Sequence, residues 1–182
     1  HPRRCLSELS DSSTQTVSGN VPLAVLFDLD GTLIDTAPEF VAIGLRLRQA
    51  AGLPAVAPEA IRRRVSDGAI GMVAAALEIA TADPTFEQWR QRFLNDYEKG
   101  LGQHSEPYPG LRALVSTLGV NGIKWGVVTN KLSRFAQPLM EKMDFNPPAD
   151  IVITPDDVSH PKPHPESLIL ACNRLNCPPD RS

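Results

Sequence analysis

The chain has 182 residues, 42% of them hydrophobic and 21% charged, with a formal net charge of -3. That is enough apolar material for one domain, or one domain carrying an insertion. The charge balance leaves no basic footprint for nucleic acid, and no apolar run approaches the roughly 20 residues that a membrane span needs. Cys5, Cys172 and Cys177 have no metal spacing and read as plain thiols in a reducing cytoplasm.

In chain order, residues 1–20 are rich in Ser, Thr and other polar groups and read as a flexible tail. Val21–Phe27 is a near-continuous apolar run, the mark of a strand covered on both faces, and it leads into Asp28-Leu29-Asp30-Gly31-Thr32. Thr36 can cap a helix with Pro38 and Glu39 in its first turn, running to about Ala51. Pro58–Val65 reads as a short helix carrying Arg62, Arg63 and Arg64, broken by Ser66-Asp67-Gly68, and Ala69–Ala80 resumes helix. Asp83-Pro84 opens the clearest amphipathic helix, with Phe86, Trp89, Phe93 and Tyr97 as its apolar stripe and Arg90 among the intervening polar residues.

His104–Gly110 is a Pro-rich junction, and Pro109 starts a helix with Leu111, Leu114, Val115 and Leu118 on one face. Ile123–Thr129 is a second buried-type strand ending on Asn130 and Lys131. Ser133 can cap a helix to about Met143, in which Pro138 removes one hydrogen bond. Ile151–Thr154 is a short third strand, and His164–Leu175 a helix with Leu168, Cys172 and Leu175 on one face. Strands alternating with helices argue for an α/β fold with a parallel sheet. The all-helical segment 38–103 is too long for one crossover, so it reads as an insertion at the carboxyl end of the first strand. Ligands of open α/β sheets bind there. Residues 21–37 and 104–182 are therefore the expected core, and 38–103 a helical cap placed to act as a lid.

Side chains alternate along a strand, so Asp28 and Asp30 leave on the same side. Adjacent carboxylates repel and need a cation or a shared proton. Thr129 with Asn130 at the second strand end, and Lys162 shortly after the third, supply a hydroxyl, an amide and an ammonium. That set suits a phosphoryl group bound with Mg2+: donors for phosphate oxygens, a point charge, and carboxylates able to serve as cation ligand, nucleophile and acid/base. A calcium loop beginning at Asp28 is disfavoured, because Leu33 stands where such a loop requires glycine. Lys131 and the histidines His104, His160 and His164 are expected at the surface.

At these residues the chain resembles the haloacid dehalogenase superfamily of phosphohydrolases. Asp28-Leu29-Asp30-Gly31-Thr32-Leu33-Ile34 matches its DxDGT motif, Thr129 in VVTNK its second and Lys162-Pro163 its third. The helical insertion is similar to the superfamily's α-helical cap. The resemblance implies a Rossmann-like core, Asp28 as nucleophile and Asp30 as general acid/base. It places Mg2+ on the Asp28 carboxylate and the Asp30 main-chain carbonyl. Thr129, Lys162 and Asn130 would surround the phosphoryl oxygens, with Gly31 and Thr32 in the phosphate-binding turn. Within the superfamily, LIDT, VTNK and KPHPE resemble the branch acting on 2-phosphoglycolate, while GVVTNK, RFAQP and ESLILAC resemble a bacterial branch acting on N-acetylmuramic acid 6-phosphate. Arg64, Asp67 and Gly68 form the cap loop expected to face the substrate. The implied partner is a small phosphorylated metabolite, handled by a cytoplasmic monomer or homodimer.

The superfamily's fourth motif, an acidic cluster after a fourth strand, would be expected shortly beyond Pro179. Together with a start at His1, this reads as an excerpt whose first strand lies at a sheet edge and whose turnover is poor. The remaining alternatives are a sugar-phosphate mutase of the β-phosphoglucomutase type and a binding protein with a degenerate site.

Overall fold

Residues 21–182 are described by a computed structural model; the expected tail, residues 1–20, lies outside the described residues. In chain order the elements are β1 (Ala24–Phe27), β2 (Ile34–Asp35), α1 (Ala37–Ala50), α2 (Pro58–Arg62), α3 (Gly68–Leu77), α4 (Phe86–Gly100), β3 (Glu106–Pro107), α5 (Leu111–Val120), β4 (Lys124–Val128), α6 (Ser133–Met143), β5 (Ile151–Ile153) and α7 (Glu166–Leu175). The expected second helix ends early, at Arg62, and a 3-10 turn, Val65–Asp67, follows it. None of the described helices is long and apolar enough to cross a membrane.

β1, β4 and β5 form a parallel sheet in the order β1-β4-β5, in register Phe27 with Val127 and Val128 with Ile153. The alternation of strand side chains sorts the core into two layers. Val25, Phe27, Trp125, Val127 and Val152 pack with residues of α5 and α6, including Val115, Leu118, Ala136 and Leu139. Ala24, Leu26, Val128, Ile151 and Ile153 pack on the other face with Ala171 and Leu175 of α7. β1 and β5 are the edge strands of this sheet, and Val25, Leu26 and Phe27 on β1 are half-buried. Both faces of β1 are packed, as the apolar run implies, and its edge position was expected as well. Leu114 and Leu168 are exposed, although the helical spacing placed them inward. The sheet covers a narrower face than the apolar stripe, and α7 turns in Ser167, Ala171, Cys172 and Leu175 instead.

Helices α1–α4 have their own apolar cluster, including Phe40, Ile43, Leu47, Met72, Phe93 and Tyr97. One aromatic contact, Tyr97 to Phe135 of α6 at 5.3 Å between ring centroids, ties it to the sheet side. The two chain crossings between these parts are fastened together. β2 and β3 pair antiparallel, and buried Glu39 on α1 accepts the N–H groups of Gly102 at 3.2 Å and His104 at 2.8 Å. This fastening holds the helices over the carboxyl ends of the strands.

Candidate active site

The DxDGT turn starts where β1 ends. Gly31, at φ +77°, takes the left-handed conformation that lets the chain reverse, and the carbonyl of Leu29 accepts N–H groups of Leu33 and Ile34, both at 3.0 Å. Leu29 is buried in the core while Asp28 is exposed and Asp30 half-buried beside it. The turn thus carries both carboxylates out of the sheet on one side.

Each carboxylate receives a lysine from a neighbouring strand end. Lys162 Nζ lies 2.9 Å from Asp28 Oδ1 and donates to the carbonyl of Val128 at 2.8 Å. Lys131 Nζ lies 2.8 and 3.1 Å from the two oxygens of Asp30. The expected remedy for adjacent carboxylates was a cation or a shared proton; here two lysines supply the positive charge. Lys131 corrects the sequence reading outright. It is buried, with its ammonium 5.0 Å from the ring centroid of Phe40 and 4.7 Å from that of Tyr97. Thr36 adds a third bond to Asp30, its Oγ1 donating to Oδ1 at 2.7 Å. Thr36 makes no side-chain capping bond to α1, its hydroxyl being turned to Asp30, and Asp35 accepts the N–H of Ala37.

Thr129 is buried at the end of β4, and its Oγ1 accepts the N–H of Lys131 at 3.0 Å. Asn130 donates from Nδ2 to the carbonyl of Lys162 at 2.9 Å, joining the second and third strand ends. The loop bearing Lys162 is braced by Glu166, which accepts the N–H groups of Ser159 and His160. Those bonds, from Ser159 first and then the His160 ring, hold its carboxyl below the usual glutamate range. His160 and His164 are exposed as expected, although both lie within ion-pair reach of Glu166.

A cleft of about 660 Å³ separates this group from the helices. Asp28, Asp30, Gly31, Thr32, Thr129, Asn130 and Lys162 line its floor, and Asp67 and Gly68 stand on the helical side. Arg64 is the one candidate residue outside the lining; its guanidinium is turned to Asp67, 2.6 Å away. Among the lining residues that escaped the sequence reading as site residues are Lys131, Phe40, Tyr97 and Arg90. The Tyr97 hydroxyl is buried without a partner among the described residues. Burial first, then the charges of Asp30 and Glu39, push its ionisation far above the usual phenol range, so it remains a donor.

The donor set of this floor is hard oxygen plus ammonium and amide groups, which suits a phosphate ester. Residues 25–182 match the family described as haloacid dehalogenase-like hydrolase. The chain belongs to that family. An N-acetylmuramic acid 6-phosphate phosphatase of Pseudomonas aeruginosa is 45% identical over 158 residues, covering 87% of this chain and 70% of the relative. A phosphoglycolate phosphatase of Xanthomonas campestris pv. campestris is 34% identical over 154 residues, covering 85% and 69%. The fold is shared with a subfamily IA hydrolase of the superfamily from Geobacter sulfurreducens (TM-score 0.68, 24% identity, covering 88% of this chain and 75% of that one). It is also shared with CbbY of Rhodobacter sphaeroides (TM-score 0.66, 21% identity, covering 88% and 76%). The Rossmann-like parallel sheet expected from the motifs is therefore the fold of this hydrolase.

Proposed function

We propose that this hydrolase is a magnesium-dependent phosphomonoesterase that cleaves a small phosphate ester through an aspartyl-phosphate on Asp28, with residues 38–103 serving as its cap. The observation that carries the reading is the state of Asp28. Its side chain is 45% exposed to the cleft, and one oxygen is taken by Lys162 and the N–H of Leu29. The other oxygen has no hydrogen-bond partner among the described residues and is open to an incoming phosphorus. Lys162, Thr129 and Asn130 line the same cleft as Asp28 and would neutralise and hold the transferring oxygens. Asp30, fixed by Lys131 and Thr36, is placed to protonate the leaving oxygen and then to take the proton of the attacking water.

The Asp28 carboxylate and the main-chain carbonyl of Asp30 are hard ligands of the kind Mg2+ takes, together with substrate oxygens and water. Bound there, the ion would supply charge neutralisation for the phosphoryl group.

Two esters are candidates, 2-phosphoglycolate and N-acetylmuramic acid 6-phosphate. The 45% identity to phosphatases of the second kind favours it, as does a cleft much larger than a two-carbon ester fills. The work would be that of a cytoplasmic monomer or homodimer. Phosphate release from the two esters with Mg2+ present, abolished in Asp28→Asn, tests the reading. Interconversion of a hexose 1-phosphate without net phosphate release would replace it with the mutase alternative.

A further inference from the structure

The inward face of α4 carries Phe86, Phe93, Leu94 and Tyr97, all buried, and one charge among them. Arg90 lies four residues after Phe86, three before Phe93 and four before Leu94, hence on the same face of the helix. It lines the cleft beside Phe93, Leu94 and Tyr97, with its side chain 30% exposed. Among the residues lining the cleft, the other two cations are Lys131 and Lys162, each already committed to an aspartate. Arg90 is the cation that the helical wall contributes.

Its geometry leaves capacity for a ligand. Nε and Nη2 hold Glu87 at 2.9 and 3.2 Å, and Gln91 holds the same carboxylate at 2.7 Å. Two of the five guanidinium N–H groups are thereby used, and three remain. Glu87 is 63% exposed and absent from the cleft lining, so it orients the arginine from the solvent side. An exposed pair of this spacing contributes about 0–1 kcal/mol and gives no reason to set an arginine on an apolar inward face.

The rest of the helical wall points the same way. The first residues of α3, Gly68, Ala69 and Ile70, line the cleft, and its cap position, Asp67, makes no side-chain capping bond. Asp67 itself is paired with Arg64. Donors on this wall call for an acidic group on the ligand, at the end away from the phosphate.

Resting on the phosphatase reading above, we propose that Arg90 is the specificity residue of the cleft: it binds a carboxylate on the substrate, so the enzyme selects phosphomonoesters that are also carboxylic acids. Both candidate esters meet that condition, one through its glycolate carboxyl and the other through its lactyl carboxyl.

The test compares matched esters. Phosphate release is measured for N-acetylmuramic acid 6-phosphate against N-acetylglucosamine 6-phosphate, which lacks the lactyl acid, and for 2-phosphoglycolate against ethyl phosphate. In Arg90→Gln, the ratio of kcat/KM for the acid over its neutral partner should fall about 10- to 100-fold. Arg90→Lys, which keeps charge without the bidentate fork, should fall between. An unchanged ratio in both variants overturns the assignment, since a purely structural arginine would lower both members of each pair alike. Calorimetry with the Asp28→Asn protein reads binding without turnover. There the acid should bind more tightly than its neutral partner, and the added Arg90→Gln change should remove the difference. If the wild type releases phosphate from none of the four esters, the phosphatase reading falls, while calorimetry still decides whether Arg90 holds the carboxylate.

Discussion

The inner and outer halves of the site are built from the same two residue types and behave as opposites. Asp30 and Lys131 form the inner pair, with side chains 22% and 5% exposed, roofed by the rings of Phe40 on α1 and Tyr97 on α4. Asp28 and Lys162 form the outer pair, 45% and 25% exposed, at the rim of an edge strand. The inner carboxylate has contacts on both oxygens and is held in place; the outer one keeps an oxygen open. Identical charges one residue apart are thus divided into one that is held and one that is available, and burial makes the division.

The contrast can be broken from the inner side first. Lys131→Met fills a similar volume but leaves Asp30 without its cation, and should destabilise the fold by about 3 kcal/mol, measured by urea unfolding. Thr36→Val removes one hydrogen bond to the same carboxylate and should take away about 1 kcal/mol. Lys162→Met, at the wetter pair, should change stability by about 0–1 kcal/mol. Equal losses at Lys131 and Lys162 would erase the distinction between the pairs.

The chemistry of the floor was legible because it is written in short, contiguous signals. Alternation along one strand gives Asp28 and Asp30 a common side, and strand ends are found from apolar runs, which located Thr129 and Lys162 without tertiary information. The roles of Lys131 and Arg90 were not legible in that way. Lys131 is buried because α1 and α4, distant in sequence, bring Phe40 and Tyr97 over it. Arg90 shares the face of Phe86 and Phe93 by spacing, but only the packing of α4 shows that this face overlooks the cleft. Thr36 looked like a helix cap because the local pattern is that of a cap; in the folded turn its hydroxyl donates to a carboxylate six residues upstream.

The most direct measurement is to mix the protein with excess phosphate ester and Mg2+, quench it in acid during turnover, and map the phosphorylated peptide by mass spectrometry. The expected result is a phosphoryl group on Asp28, absent in Asp28→Asn and never found on Asp30. A phosphoryl group on Asp30, or phosphate release that persists in Asp28→Asn, would contradict the division between the held and the reactive carboxylate.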